Sequence, residues 1–387
     1  MSKKGPPIRV LVVDDSAFMR NMLSMMLMKC AGLQVVGTAM NGQGAIEQAR
    51  RTQPDVMIFD IEMPGMNGLE VLDYLMAQDP LPIIMVSSLT EEGAEVTLQA
   101  LERGAVDFSA KPMNQAASEI GANEGLLHVK IREAFQTRHR LSRIGHTDIQ
   151  RERPVRDVSQ NLNLQAKPMS SVRSLGEKTS NNLGETLNQA EFPLVVIGAS
   201  TGGPNLLKTV IRDLPSSFPA ALLIIQHMPK YFTKVFAENL KAVAAIPIRE
   251  AQDGDKLRPG VGFVAPGNHH VVISRQVDGR PRIRFATDLL EHPYRPSIDC
   301  AMVSAVEQFG QSTVALVLSG MGHDGMVGSH KIKEQGGTVL VQDEATSLIC
   351  GMPRVVIEAG IADAVIPDVQ LATALEQAVD SLCLANK

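Results

Sequence analysis

The sequence predicts an α/β protein made of two doubly wound parallel sheets joined by a linker. Three observations carry that reading. Apolar, β-branched runs alternate with helical stretches over residues 1–140, and the alternation resumes at Phe192 and continues to residue 387. Between them, residues 145–191 hold no aromatic side chain and no sustained apolar period, so 141–191 reads as a mobile linker unable to bury enough surface to order itself. A chain of 387 residues also exceeds one domain at roughly 100–200 residues each.

The elements follow in order. Ile8–Val13 is a β-branched run stopped by Asp14 and Asp15, and Ser16 can cap the helix behind it. That helix carries Phe18, Met19, Met22, Leu23, Met26 and Leu27, a wide apolar stripe expected to face the core. Strands are expected at Val35–Ala39, Val56–Phe59, Ile83–Ser87 and Val106–Phe108, with helices at Gly44–Arg51, Gly68–Ala77 and Ala94–Leu101 between them. In the second domain strands are expected at Leu194–Ile197, Ala221–Gln226, Val261–Ala265, Val314–Ser319 and Thr338–Gln342, with helices such as Leu206–Arg212 and Ala301–Phe309. Two alternating runs around Asp278-Gly279 signal a hairpin, expected as an antiparallel appendage on a mostly parallel sheet.

Composition removes several classes of function. A net charge of −5 argues against a chain-wide grip on nucleic acid, and the absence of Trp with only 3 Tyr argues against a base-stacking platform. No run of about 18 uncharged apolar residues suggests membrane insertion, and MSKKGPPIRV enters a strand directly, unlike a signal peptide. Cys30, Cys300, Cys350 and Cys383 are too few and too scattered for a disulfide framework or a CxxC metal site. A cytoplasmic location is the expectation.

Open α/β sheets place their sites at the carboxyl ends of strands. In the first domain those ends offer Asp14 and Asp15, Asp60, Ser87 with Ser88, and Lys111. Three clustered carboxylates repel one another unless a cation joins them, and an oxygen-loving Mg²⁺ suits such a pocket. A metal-bound carboxylate facing a lysine can accept a phosphoryl group. Solvated strand-end acids would explain any one of these residues but not three carboxylates, a hydroxyl and a lysine together. The segments LVVDDS, IFDIEMPGMNG, MVSS and DFSAKP resemble the response-regulator receiver domain over about residues 8–115. The resemblance implies a flavodoxin-like fold with Asp60 as phosphoacceptor and Asp14 and Asp15 as magnesium acids beside it. It also implies Ser87 as switch hydroxyl, Lys111 as phosphoryl-contacting lysine and Phe108 in the place of the aromatic switch. The Pro and Gly expected after the acceptor stand as Pro64 and Gly68.

In the second domain Leu194–Pro204 reads as strand, glycine-rich turn and helix. Its spacing fits neither GxGxxG nor a Walker loop, but Gly198, Ser200 and Gly202 form GxSxG, the turn that lifts a serine hydroxyl above a sheet edge. A phosphate-cradling loop is the alternative. Serine needs a base, and His227 ends the strand Ala221–Gln226; Asp324, after the strand Val314–Leu318, can orient it. The chain order Ser–His–Asp differs from the α/β-hydrolase order. His323, His269 and His270 are competing bases, and no Cys or carboxylate stands at ligand spacing to make the His pair a metal site.

Together GASTGGP, QHMP, APGNHH, RPSID and GMGHDG resemble the catalytic domain of the chemotaxis protein-glutamate methylesterases over about residues 192–385. The resemblance implies hydrolysis of γ-glutamyl methyl esters on methyl-accepting chemoreceptors, deamidation of selected glutamines, a chemotaxis histidine kinase as phosphodonor, and catalysis by Ser200, His227 and Asp324 on a Rossmann-like sheet. Ester hydrolysis by that set needs no cofactor. Two other outputs stay open: a DNA-binding one, which would need a basic helix-turn-helix, and a nucleotide-binding one, for which Lys208 is the nearest phosphate-binding candidate.

Overall fold

The computed structural model describes residues 5–63, 68–111, 127–138, 192–286 and 294–385. The expected linker and Pro64 lie outside the described residues. The first domain runs β1 (Ile8–Val13), α1 (Ala17–Met28), β2 (Leu33–Ala39), α2 (Gly42–Thr52), β3 (Val56–Asp60), α3 (Gly68–Gln78), β4 (Ile83–Ser87), α4 (Glu91–Glu102), β5 (Asp107–Ala110) and α5 (127–138). Its five strands are parallel in the order β2-β1-β3-β4-β5, the flavodoxin-like winding. Helices cover both faces, so β3 and β4 are buried along their whole length, which is why they read as unbroken apolar runs.

Ser16 caps α1 by accepting from Met19 N at 3.4 Å, as its position suggested. The apolar stripe of α1 is narrower than expected: Met19, Leu23, Met26 and Leu27 are buried and Met22 is half-buried, but Phe18 is 63% exposed. The buried positions follow i, i+4, i+7 and i+8, and Phe18 falls one residue outside that arc.

The second domain runs β6 (Leu194–Ala199), α6 (Gly203–Asp213), β7 (Ala221–Gln226), α7 (Lys230–Val243), β8 (Ile248–Glu250), β9 (Gly262–Val264), β10 (His270–Arg275), β11 (Pro281–Ala286), α8 (Ile298–Phe309), β12 (Thr313–Val317), α9 (Met326–Glu334), β13 (Thr338–Gln342), α10 (Gly351–Glu358), β14 (Ala364–Ile366) and α11 (Leu371–Ala385). Seven strands form one parallel sheet in the order β14-β13-β12-β6-β7-β9-β8. The winding reverses between β12 and β6, which opens a crevice at the carboxyl ends of those strands. The short edge strands β8 and β14 were not anticipated. Each has three residues, only partly buried, and so lacks an apolar run to mark it.

The hairpin forms as expected, with His270 opposite Ala286 and Gly279 at φ +72° in the turn. It differs in placement. β10 and β11 make a separate two-stranded sheet rather than an extension of the parallel one, and β10 is tied to α8 by Ile273 N donating to Ser304 Oγ at 3.0 Å.

The two domains meet along α4 and β5 on one side and α6 and α7 on the other. A continuous buried apolar cluster runs through both, including Leu101 and Phe108 from the first and Leu207 and Phe232 from the second. The rings of Phe108 and Phe232 stack in parallel with centroids 4.4 Å apart.

Candidate active site

The first site sits at the carboxyl ends of β1, β3, β4 and β5. Asp14 and Asp60 are fully buried and Asp15 is exposed; oxygens from the three lie within 4.8 Å of one another. Lys111 Nζ bonds Asp60 Oδ2 at 2.8 Å and lies 3.8 Å from Glu62. Burial pushes the Asp14 and Asp60 carboxyls above their ordinary value, against the opposing pull of the Ser16 N–H on Asp14 and of Lys111 on Asp60. Burial alone would lower Lys111, but the bond to Asp60 and the surrounding acids outweigh it and hold the ammonium above its usual range. Asp14 Oδ1 accepts from Ser16 N at 2.9 Å, while Oδ2 is buried without a hydrogen-bond partner among the described residues. An orphaned carboxylate oxygen between two other acids fits a divalent cation with oxygen ligands. Ser87 is buried and donates its hydroxyl to the Gly93 carbonyl at 3.1 Å, in the first turn of α4.

The second site sits at β6, β7 and β12, which are neighbours in the sheet. Ser200 follows β6 directly, at a turn that only glycine accommodates. Gly202 has φ +84°, and a Cβ there would meet Ser319 Oγ and Leu348 at 2.8 Å; a Cβ on Gly203 would meet Gln226 Oε1 at 2.2 Å. The turn is held by Ser200 N donating to Ser319 O at 3.0 Å and by Gln226 Nε2 donating to Ser200 O at 2.9 Å. Gly202 caps α6 without a side-chain bond, and no side-chain hydrogen bond to the N–H groups at that helix start is seen among the described residues.

His227 follows β7. Its Nε2 bonds Asp324 Oδ2 at 2.8 Å, and its Nδ1 is buried with no partner among the described residues. Asp324 also accepts from Ile298 N at 2.8 Å, Asp299 N at 2.9 Å and Ser297 Oγ at 3.2 Å. Burial by itself would raise this carboxyl, yet the His227 bond and charge and the two backbone N–H groups bring it down to about 2. The structure thus brings Ser200, His227 and Asp324 to one crevice, although among the described residues no hydrogen bond joins the Ser200 hydroxyl to His227. The competing bases do not share it: His323 is exposed, while His269 and His270 belong to the hairpin side, where His269 stacks on Phe285.

Several residues around the crevice carried no role in the sequence reading. Tyr294 stacks on the His227 ring at 4.3 Å, with the planes within 6°. Asp299 accepts from Gly325 N at 2.9 Å and Gly328 N at 2.7 Å, fixing the loop that carries Asp324. Asp299 lies within the quoted RPSID motif, so the motif was visible but the role was not.

The first domain closes the crevice. A cavity of about 220 Å³ is lined by Ser200, Thr201, His227, Tyr294 and Arg295 from the second domain and by Leu101, Asp107, Phe108 and Lys130 from the first. Thr201, next to Ser200, donates its hydroxyl to the buried Asp107, which also pairs with Lys130 at 3.0 Å. Lys130 lies over the Phe108 ring at 5.2 Å. Phe108 therefore packs against the second domain.

An acid pocket on a flavodoxin-like sheet, joined to a Ser, His and Asp crevice on a second α/β sheet, defines a response regulator with a hydrolase output. The chain belongs to the family of the CheB methylesterases that carry a receiver domain. The response regulator receiver family matches residues 10–119 and the CheB methylesterase family residues 195–375. A protein-glutamate methylesterase/protein-glutamine glutaminase of Oleidesulfovibrio alaskensis is 40% identical over 96% of this chain and 99% of its own length. One from Pyrococcus abyssi is 37% identical over 99% of this chain and 96% of its own. The Thermotoga maritima CheB methylesterase catalytic domain, a crystal structure, aligns with 49% of this chain and 99% of its own at 38% identity and a TM-score of 0.47.

Proposed function

We propose that residues 192–387 hydrolyse γ-glutamyl methyl esters on chemoreceptors, and deamidate selected glutamines there, under control of a receiver in residues 1–140 connected through 141–191. The observation that carries this reading is the His227–Asp324 pair beside Ser200 at adjacent strand ends. Asp324 holds Nε2, so Nδ1 is the nitrogen that takes the serine proton. Ser200 Oγ attacks the γ-carbonyl carbon as its proton passes to Nδ1, and the N–H groups at the start of α6 face the oxyanion. Collapse breaks the bond to methoxide, which leaves as methanol with the proton from His227. Water then attacks the acyl-serine carbon and gives a proton to the same nitrogen; collapse breaks the bond to Ser200 Oγ, which takes that proton back, and the glutamic acid formed releases its own proton to solvent as it ionises. With glutamine, ammonia leaves in place of methanol. None of these steps calls on a cofactor.

In the receiver, Asp60 is the phosphoacceptor, with a histidine kinase of the chemosensory pathway as donor. Asp14, Asp15 and Asp60 would hold Mg²⁺, which shields the charge on the transferring phosphoryl oxygens when bound. Lys111 pairs with the phosphoryl group, and Ser87 turns from the Gly93 carbonyl toward it. Phe108 follows, breaking its stack on Phe232 and unlatching the crevice. Among the described residues no helix is long and apolar enough to cross a membrane, in keeping with action on the cytoplasmic part of receptors. Neither nucleic acid nor membrane insertion enters this scheme. The test is methanol release from methylated receptor membranes with and without acetyl phosphate, paired with labelling by a serine-reactive phosphonate. Phosphodonor-stimulated methanol with modification at Ser200 is expected; methanol release unchanged in Ser200→Ala would point to another nucleophile.

A further inference from the structure

The face of the hydrolase that α4 covers has a specific chemistry. α4, with the sequence EEGAEVTLQALE, carries Glu91, Glu92, Glu95 and Glu102 and no lysine or arginine. It lies on α6 and α7 with an ion pair at each end: Lys234 Nζ to Glu91 at 2.7 Å and Lys208 Nζ to Glu102 at 2.6 Å. The two glutamates are 11 residues apart, about 16 Å along a helix. Near the second pair, Asn205 Nδ2 donates to the Leu101 carbonyl at 2.7 Å, which also accepts from Gly104 N at 3.2 Å at the carboxyl end of α4. Leu101 in turn lines the cavity that holds Ser200. The seat beside the nucleophile thus reads a helix, its carboxyl end and two acids three turns apart.

We infer that this seat is where the substrate docks: once the receiver leaves, Lys208, Lys234 and Asn205 bind a glutamate-bearing helical segment of the receptor, and α4 is its internal mimic. The inference rests on the methylesterase reading above, which makes the substrate a polypeptide rich in glutamyl side chains and its product one carboxylate richer. A groove that must admit such a segment needs cations at its edge. The receiver supplies acids to those same cations in the closed form. Inhibition is then competition for one surface, with a matching charge pattern on both competitors.

The test uses the full chain with methylated receptor membranes, acetyl phosphate and Mg²⁺. Reversing both charges, Lys208→Glu with Lys234→Glu, should raise the KM of the phosphorylated chain about tenfold while leaving kcat within about twofold. The same variant should have a raised basal rate without phosphodonor, because its receiver is held less firmly. Adding Glu91→Lys and Glu102→Lys should restore the restraint through swapped pairs but leave KM high. The milder Lys208→Gln with Lys234→Gln should shift both quantities in the same directions by less. An unchanged KM with a raised basal rate would assign the lysines to the receiver alone and overturn the inference, as would a loss confined to kcat. Co-sedimentation of the Ser200→Ala chain with the same membranes scores the seat without turnover. Binding unaffected by charge reversal overturns the seat alone, whereas no methanol from the unaltered chain overturns the methylesterase reading.

Discussion

Removing the Asp107 carboxylate should switch the hydrolase on without phosphorylation. Asp107 is 6% exposed, sits on the receiver side, and accepts a hydrogen bond from the hydroxyl of Thr201, the residue after Ser200. Asp107→Ala deletes that charge-assisted bond and leaves the chemistry of Ser200 and His227 untouched. A hydrogen bond to a charged group contributes about 1.5–3 kcal/mol, and each 1.4 kcal/mol is tenfold, so the ratio of open to closed chain should rise about 10- to 150-fold. Lys130 keeps its 2.5 Å bond to the Phe108 carbonyl, so the aromatic stack remains and the closed form is weakened rather than lost. The assay is methanol release from methylated receptor membranes in an Asp60→Asn background, where phosphorylation cannot contribute. The basal rate should climb toward that of the phosphorylated parent and stop there, and thermal melting should still show both domains folded. A basal rate equal to the Asp60→Asn parent, in a chain with normal melting, would refute the view that this contact holds the crevice shut.

Asp60→Asn should abolish labelling by acetyl phosphate, as should chelation of Mg²⁺; labelling at normal yield in that variant would place the acceptor elsewhere. Ser200→Ala and His227→Ala should each lower methanol release by about 10⁴-fold or more, with no further loss in the double variant, and Asp324→Ala should lower it less. Mg²⁺ should raise the receiver's Tm near neutral pH, because burial lifts the Asp14 and Asp60 carboxyls and their ionised forms are strained without a cation; Asp14→Asn should remove most of the shift. Asp324, held down to about 2 from the ordinary 3.8, contributes stability in full above about pH 4 that is lost as pH falls toward 2, so Asp324→Ala should flatten that limb of a Tm-against-pH curve.

Much of the candidate site was legible because its side chains end apolar runs: Asp60 closes β3, Ser87 closes β4, and Ser200 and His227 follow β6 and β7. A parallel sheet buried on both faces writes its strands as unbroken hydrophobic stretches, and the residue that stops the stretch is the one at the crevice. What was not legible depends on contacts between distant segments. Asp107 meets Thr201 across 94 positions; each lies within a quoted motif, DFSAKP and GASTGGP, but nothing local marks their contact. Phe18 carries the hydrophobicity of a core residue, yet its place on α1 points it outward, since one residue around a helix turns a side chain by about 100°. The hairpin turn was written in Asp278-Gly279, but its separation from the parallel sheet follows from tertiary packing on α8.

The clasp between Phe108 and Phe232 joins two parts of a single polypeptide. A restraint of this kind does not dilute. The closed fraction of an unphosphorylated chain is set by the two surfaces and the tether between them, and it stays the same whether a cell makes few copies or many. An inhibitor supplied as a separate protein would have to be matched to the enzyme copy for copy. Here the stoichiometry is one to one by synthesis, so fluctuations in expression change how much enzyme there is without changing how tightly each molecule is held in check.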